Sequence, residues 1–271
     1  MKKKLILFLL LSFIITGCGA DTNEKEKGLS SAKAQNEVSV LSEGQENDSV
    51  PGEEDSIAFL DKLSEKLVTP VDTDYKILQK KYPQWFDKNG DIVYPILPGS
   101  VEWKDTKTPQ ERYDLCQIPT EIVDAVDTAS LLKAVEKHPL FLELSFYDSY
   151  YAGLEYMSNL FYGLHVLLQR KDAYKVAASS YLERNPGKTK DAVQVHFEVF
   201  IEEFLLSRKY AYQKLGKEER KEILKAIANN YEMENEIKSA ASGREYHFYD
   251  MVAYENNPWQ KEAMSFVETM E

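Results

Sequence analysis

Hydrophobic residues recur at helical spacing along most of the chain. Periodic runs lie at roughly 149–170, 190–215 and 217–240, between breaks marked by proline, glycine and capping residues. The alternation typical of strands is essentially absent after residue 105. The pattern therefore predicts a mainly α fold, either an irregular multi-helix bundle or stacked helical hairpins.

Short local signals mark where helices begin and end. Thr108-Pro109-Gln110-Glu111 is predicted to open a helix with a capping box, because the threonine hydroxyl and the glutamate can each satisfy a free backbone N–H. Short helices near 119–126 and 128–137 should follow, before His138-Pro139 interrupts the chain. Gly216 then separates the last two long runs into a helical hairpin.

The segment 70–105 has a different pattern, rich in proline and containing Trp85 and Trp103. It predicts loops, with a turn or a small hairpin within 83–105 around Asn89-Gly90. A calcium loop is disfavoured, since an EF-type loop needs its glycine at the sixth position and this one comes fourth after Asp87. The helical pattern before it places the start of a single helical domain, 56–271, near Ser56.

The run 148–170 is the most apolar stretch of that domain and is predicted to be its central helix. Apolar side chains cover about half of its circumference at ~100° per residue. Glu155, Tyr162 and His165 share the polar arc, together with Ser158 and Gln169. This arc is interpreted as a solvated or interhelical face, with a ligand-contacting stripe as the alternative.

The N-terminus combines positive charge with a short apolar run. Three lysines precede about eleven apolar residues, whereas a membrane-spanning helix needs roughly 20. The four residues Ile15, Thr16, Gly17 and Cys18 then resemble the lipobox of bacterial lipoproteins. The resemblance implies a signal peptide, 1–17, that is removed, and a lipidated Cys18 that anchors the protein on the extracytoplasmic face of the cell membrane. A secretory signal peptide with an incidental cysteine is the alternative.

Residues 18–55 lack aromatics and helical periodicity and are predicted to form a disordered tether. About 37 flexible residues reach about 35 Å on average. The formal charge is −12, and loss of the three signal-peptide lysines leaves 30 basic against 45 acidic side chains, a net charge of about −15. A domain this acidic repels phosphate polymers, so nucleic acid is not an expected partner.

Catalytic and metal signatures are weak in this sequence. The familiar hydrolase, nucleotide and zinc motifs are missing, so no cofactor and no metal are predicted. His196 and Glu203 are two helical turns apart, too far to chelate one ion without a third element. Cys116 is interpreted as a small buried hydrophobe rather than a catalytic thiol, and His138 and His247 as structural.

A further resemblance covers about sixty residues, 113–173. YDLCQIP, Thr128, Leu131, HPLF, Tyr147, Gly153 and FYGLHVLLQRKDA look like a segment found in uncharacterised secreted bacterial proteins. Tyr162 here replaces the asparagine usual in that segment before Gly163. No activity is carried over, but the resemblance implies one helical domain built around these helices.

Three functions remain open at this point. The first is a surface-tethered binding or scaffold lipoprotein, in which exposed Trp85, Trp103, Tyr162 and the aromatic cluster 246–254 hold an envelope protein or a saccharide. The second is an envelope enzyme in which Tyr162 and His165 act with a carboxylate such as Glu155 or Glu203. The third is a structural accessory in a secretion or sporulation complex.

Overall fold

The computed structural model describes residues 52–147, 149–184, 192–241, 248–252 and 257–268. In these residues the chain is mainly helical and contains no sheet, as the hydrophobic pattern predicted. Two 3-10 helices accompany the α-helices, at Pro83–Trp85 and Phe141–Phe146. The α-helices are α1 Glu53–Leu63, α2 Tyr75–Lys81, α3 Val101–Asp105, α4 Pro109–Leu115, α5 Thr120–Ala125, α6 Thr128–Glu136, α7 Tyr150–Leu160, α8 Tyr162–Gln169, α9 Ala173–Glu183, α10 Ala192–Ser207, α11 Lys209–Lys214, α12 Lys217–Ala241, α13 Phe248–Val252 and α14 Trp259–Glu268.

One continuous cluster of buried apolar side chains extends from Leu60 in α1 to Ala263 in α14. At its centre lies α8, which packs against α1, α5, α6, α7 and α9. Burial of each large apolar side chain contributes about 1.5–3 kcal/mol, so this cluster is the main source of stability.

The predicted capping signals are confirmed at several helix starts. The Thr108 hydroxyl accepts from the Glu111 N–H, and the Glu111 carboxylate accepts from the Thr108 N–H. Asp127 accepts from the N–H of Ser130 and opens α6 in the same way. These contacts satisfy backbone donors that the first turn of a helix leaves free.

The predicted reversal at Asn89-Gly90 is present, as a turn rather than a hairpin with strands. Phe86 and Ile92 form a single antiparallel bridge. The Asp87 carboxylate accepts from the N–H groups of Asn89 and Asp91. Gly90 has φ +84°, a conformation that glycine adopts without the cost of a Cβ.

The tether prediction was wrong at its C-terminal end. Glu53, Glu54 and Asp55 form the first turn of α1 instead of continuing the tether to residue 55. Three carboxylates at the positive end of a helix are favourable, although they carry no hydrophobic periodicity. The rest of the predicted signal peptide and tether lies outside the described residues.

The predicted central helix 148–170 is two helices, α7 and α8, separated at Phe161. The backbone of Phe161 is extended, with φ −117° and ψ 103°. Gln117 supplies both partners at this break: its amide nitrogen donates to the Leu160 carbonyl, and its amide oxygen accepts from the Tyr162 N–H at 3.3 Å. A side chain from elsewhere in the fold therefore replaces helical bonds that the break removes.

The predicted run 190–215 is also interrupted, at Arg208, where the backbone is extended between α10 and α11. The side chain of Arg208 turns back to α1 and donates to the carbonyl of Leu60. Phe204 and Ala211 keep helical spacing across the break, so spacing alone predicts one helix.

Candidate functional site

Tyr162 and His165, which share the polar arc predicted from the sequence, have different partners in the structure. The Tyr162 hydroxyl donates to Asp124 at 2.9 Å. His165 is half-buried; burial and then the charge of Lys66 lower its pKa, and a hydrogen bond with the backbone of Ser158 opposes them. His165 is therefore neutral near pH 7, and its charged neighbour is a cation rather than the carboxylate that acid–base catalysis needs.

The other carboxylates considered for that chemistry have different surroundings. Glu155 is half-buried on α7, in the helix before the break. Glu203 is buried on α10 and accepts from the Tyr181 hydroxyl at 2.6 Å. The side chain of His196, and His247, lie outside the described part of the chain.

The prediction of an exposed aromatic surface was wrong for Trp85. Its ring is 7% exposed and meets Tyr94 edge to face, with ring centres 5.9 Å apart. Trp103 is half-buried against the core. Phe248, Met251 and Val252, from the predicted cluster 246–254, are buried, and residues 246, 247, 253 and 254 lie outside the described ranges.

Cys116 and His138 are buried in an aromatic part of the core. Burial raises the pKa of the Cys116 thiol to about 12, with Glu143 adding to the rise, so the thiolate needed for nucleophilic chemistry does not form near pH 7. His138 accepts from the Leu140 N–H through Nδ1 at 3.2 Å and packs on Phe161, with ring centres 4.1 Å apart. Both positions fit the structural roles that the sequence suggested.

The structure instead brings together a surface groove that the sequence analysis missed. We call it the Tyr174 groove; its volume is about 430 Å³. Four parts of the chain form it: the segment after α1, the turn between α8 and α9, the first turn of α9, and α11. The residues that line it are Thr69, Pro70, Lys171, Asp172, Tyr174, Tyr210 and Lys214.

Two backbone hydrogen bonds join the segment after α1 to the turn between α8 and α9. Val68 donates to the Gln169 carbonyl at 2.9 Å, and Lys171 donates to the Val68 carbonyl at 3.1 Å. Val68 and Arg170 thereby form a parallel bridge. Buried Arg170 adds bonds from Nη2 to the carbonyls of Val123 and Val126, near the end of α5, so this wall is attached to the core.

Two tyrosines form the floor of the groove. The rings of Tyr174 and Tyr210 meet edge to face, with centres 5.7 Å apart and planes at 82°. The ammonium group of Lys214 lies 5.5 Å from the centre of the Tyr210 ring, within the range of a cation–π contact. The Tyr210 hydroxyl points to the carbonyl of Lys171 at 3.4 Å. The aromatic surface is therefore ordered before a ligand arrives.

The charges around the groove favour a ligand that carries a negative group. Lys171 and Lys214 are exposed at its rim. The Asp172 carboxylate also lines the groove and accepts from the Thr128 hydroxyl at 2.6 Å, so two ammonium groups stand against one carboxylate there. Burial raises the pKa of Tyr174, with smaller rises from Tyr210 and nearby carboxylates, so its hydroxyl stays protonated and can donate. The groove can thus offer ring faces, hydroxyl groups and two ammonium groups.

Neither a metal centre nor a membrane span is found in the described residues. Within those ranges, no three His, Cys, Asp or Glu side chains are placed to hold one ion. None of the helices there has the length and apolarity needed to cross a bilayer.

Comparisons with known proteins give no match: no family model, no curated protein and no solved structure is similar to this chain.

Proposed function

We propose that the protein is a lipoprotein held on the extracytoplasmic face of the cell membrane by Cys18, and that its helical domain binds an envelope ligand in the Tyr174 groove. The lipobox-like residues and the polar stretch after them support the anchor. The observation that carries the binding role is the groove itself, which is lined by two tyrosines in contact with each other and by two exposed lysines.

The groove best fits a saccharide that carries a carboxylate. Its volume of about 430 Å³ lies within the ordinary range of small-molecule sites. Tyrosine rings pack against the apolar faces of sugar rings and also offer hydroxyl groups. A carboxylate can then lie between the ammonium groups of Lys171 and Lys214. The acidic domain as a whole repels long anionic polymers, which favours a ligand with few negative charges.

Binding can be tested with the full chain in detergent, titrated with glucuronate and with glucose as its neutral counterpart. We expect glucuronate to bind more tightly than glucose. Tyr210→Ala should weaken glucuronate binding roughly tenfold, because an aromatic contact contributes about 1 kcal/mol or more. Isothermal titration calorimetry measures both affinities.

A matched pair of lysine variants separates the groove from the general surface. Lys214→Gln should weaken glucuronate binding roughly threefold, within the range of an exposed ion pair, and should leave glucose binding unchanged. Lys104→Gln, an exposed lysine in α3 outside the groove, should change neither. Equal binding of the two sugars, or equal effects of the two variants, would contradict the proposed ligand class.

The anchor is tested separately, by labelling cells with a clickable fatty acid. Wild-type protein should incorporate the label and Cys18→Ala should not. Equal labelling of both would contradict the anchor while leaving the groove proposal standing.

The enzyme alternative gains no support from the contacts of its candidate residues. Tyr162 bonds to Asp124, whereas His165 has Lys66 as its charged neighbour. A scaffold role remains compatible with the same groove, with an envelope protein in place of the saccharide as the partner.

A further inference from the structure

A second cavity lies where α1 and α7 meet the break between α10 and α11. We call it the Arg208 cavity; its volume is about 60 Å³. Its walls come from α1, α7, α10, α11, α13 and Asn257, two residues before α14. The residues that line it are Ile57, Leu60, Asp61, Tyr151, Phe204, Ser207, Arg208, Lys209, Met251 and Asn257.

Arg208 is a buried cation whose charge is incompletely compensated. The residue is 7% exposed. Its Nη2 donates to the Leu60 carbonyl, while Asp61 Oδ1 lies 3.6 Å from Nη2, beyond normal hydrogen-bond length. Its Nε and Nη1 have no hydrogen-bond partner in the described structure. A buried charged donor without a partner carries the full cost of desolvation.

Burial lowers the pKa of Arg208 to about 10, with Asp61 opposing the shift, so the guanidinium remains charged at physiological pH. The Phe204 ring, centred 5.4 Å from the guanidinium carbon, provides a further favourable contact. Neither neighbour bonds to the two free donors.

Of the other polar groups around the cavity, Ser207, Asn257 and Tyr151 are already engaged with the backbone, whereas Asp61 and the exposed Lys209 contribute charges to its lining. The Asn257 amide donates to the Ser207 carbonyl at 3.0 Å and accepts from the Trp259 N–H at 3.1 Å. The Tyr151 hydroxyl donates to the Met251 carbonyl at 3.0 Å. Arg208 is therefore the buried cation through which this cavity can bind a polar ligand, with the exposed ammonium group of Lys209 as a second positive charge.

We propose that the Arg208 cavity binds a small carboxylate, such as acetate or the carboxylate end of a larger ligand. A carboxylate in the cavity would supply the negative charge that the guanidinium lacks; because Nε and Nη1 are fully buried in the present conformation, the guanidinium would turn toward the ligand to donate to it. The volume has room for about four water molecules, the number of non-hydrogen atoms in acetate. Water alone could fill the space but would not neutralise the charge.

The proposed ligand would also connect distant parts of the domain. Arg208 lies at the break between α10 and α11, and Leu60 and Asp61 belong to α1, the helix directly after the proposed tether. A carboxylate bound to Arg208 should therefore stabilise the attachment of α1 to the rest of the domain.

The first test compares acetate with acetamide, its neutral counterpart, using the full chain in detergent at constant ionic strength. We expect acetate to shift the Arg208 Nε–H resonance in 15N NMR spectra with a saturable dependence and to raise the Tm. Acetamide should do neither. The Arg184 Nε–H is an internal control, because it already donates to Glu202 Oε2 at 3.1 Å. A shift that does not saturate, or an equal response to acetamide, would indicate water only and overturn the proposal.

Two variants test the charge. Arg208→Met removes the guanidinium and should abolish the rise in Tm with acetate, while an unchanged rise would refute the site. Asp61→Asn removes the competing carboxylate, and because Asp61 is 41% exposed the fold should tolerate it. We expect Asp61→Asn to bind acetate several-fold more tightly; equal or weaker binding would contradict the proposal even if Arg208→Met does not fold. Short peptides with a free or an amidated C-terminus distinguish a peptide carboxylate from a free small acid.

Discussion

Buried ionisable side chains of this protein differ in whether a hydrogen bond or an ion pair compensates their charge. Glu203 accepts from the hydroxyl of Tyr181, and Glu202 pairs with Arg184 at 2.6 Å. His138 is different, because burial alone shifts its pKa, to about 3. It stays neutral in the folded protein over a pH range in which an exposed histidine takes up a proton.

This makes His138 a source of acid sensitivity. In the unfolded chain it binds a proton below about pH 6.5, whereas in the folded chain it does not until about pH 3. The unfolded state therefore binds more protons as the pH falls, and stability decreases. Between pH 7 and pH 5 this one residue should lower the free energy of unfolding by about 2 kcal/mol.

Urea denaturation of wild type and His138→Asn at both pH values checks the prediction. Asparagine keeps a short acceptor for the Leu140 N–H but does not titrate. We expect the variant to be less stable at pH 7 because it loses ring contacts. Between pH 7 and pH 5, the free energy of unfolding of the variant should fall by about 2 kcal/mol less than that of wild type. Equal losses in the two proteins would show that His138 is not responsible.

At the scale of elements, the break between α7 and α8 is determined by packing. The apolar residues keep their helical spacing through Phe161, so the local sequence favours one continuous helix. The observed break buries the Phe161 ring completely and recruits Gln117 from the loop after α4. Gly163 makes room for that ring, since a Cβ there would lie 2.6 Å from Phe161 Cζ.

Gly163→Ala should therefore destabilise the domain, although alanine is the better helix former by about 1 kcal/mol. The clash with a buried ring should outweigh that gain and leave a net loss of roughly 1–3 kcal/mol in the free energy of unfolding. Denaturant unfolding measures the change. In a Phe161→Leu background the smaller side chain relieves the clash, and the cost of Gly163→Ala should shrink. The same cost in both backgrounds would show that the ring is not the cause.

Features that depend on a few neighbouring residues could be predicted from the sequence, and those that depend on distant contacts could not. The Thr108 capping box and the Gly90 turn are complete within five residues, so the local pattern specifies them. Trp85 is buried only because Tyr94 and the core beyond it cover the ring. The Tyr174 groove has no local signal, since Tyr174 and Tyr210 meet only when α9 and α11 have packed.

At the scale of the whole molecule, α1 belongs to the folded domain rather than to the tether. It packs against α7 and α8, and it buries Leu60 and Leu63 in the common core. The Ser149 hydroxyl donates to Glu53 at 3.0 Å, at the very start of the helix. Its other end accepts from Arg208 through the Leu60 carbonyl. The position at which the folded domain begins therefore determines whether the core is complete.

Two truncated chains test where the folded domain begins, one starting at Gly52 and the other at Glu65. Both lack Cys18 and most of the proposed tether, so they differ only in Gly52, α1 and Ser64. The longer chain should unfold cooperatively with the Tm of the full protein. The shorter chain loses the burial of Leu60 and Leu63, about 3–6 kcal/mol together, and leaves Arg208 without its acceptor. A domain is stable by only about 5–15 kcal/mol, and each kcal/mol lost lowers the Tm by roughly 2–4 °C. The Tm of the shorter chain should therefore fall by about 10 °C or more. Circular dichroism during heating measures both transitions, and equal Tm values would place α1 outside the cooperative core.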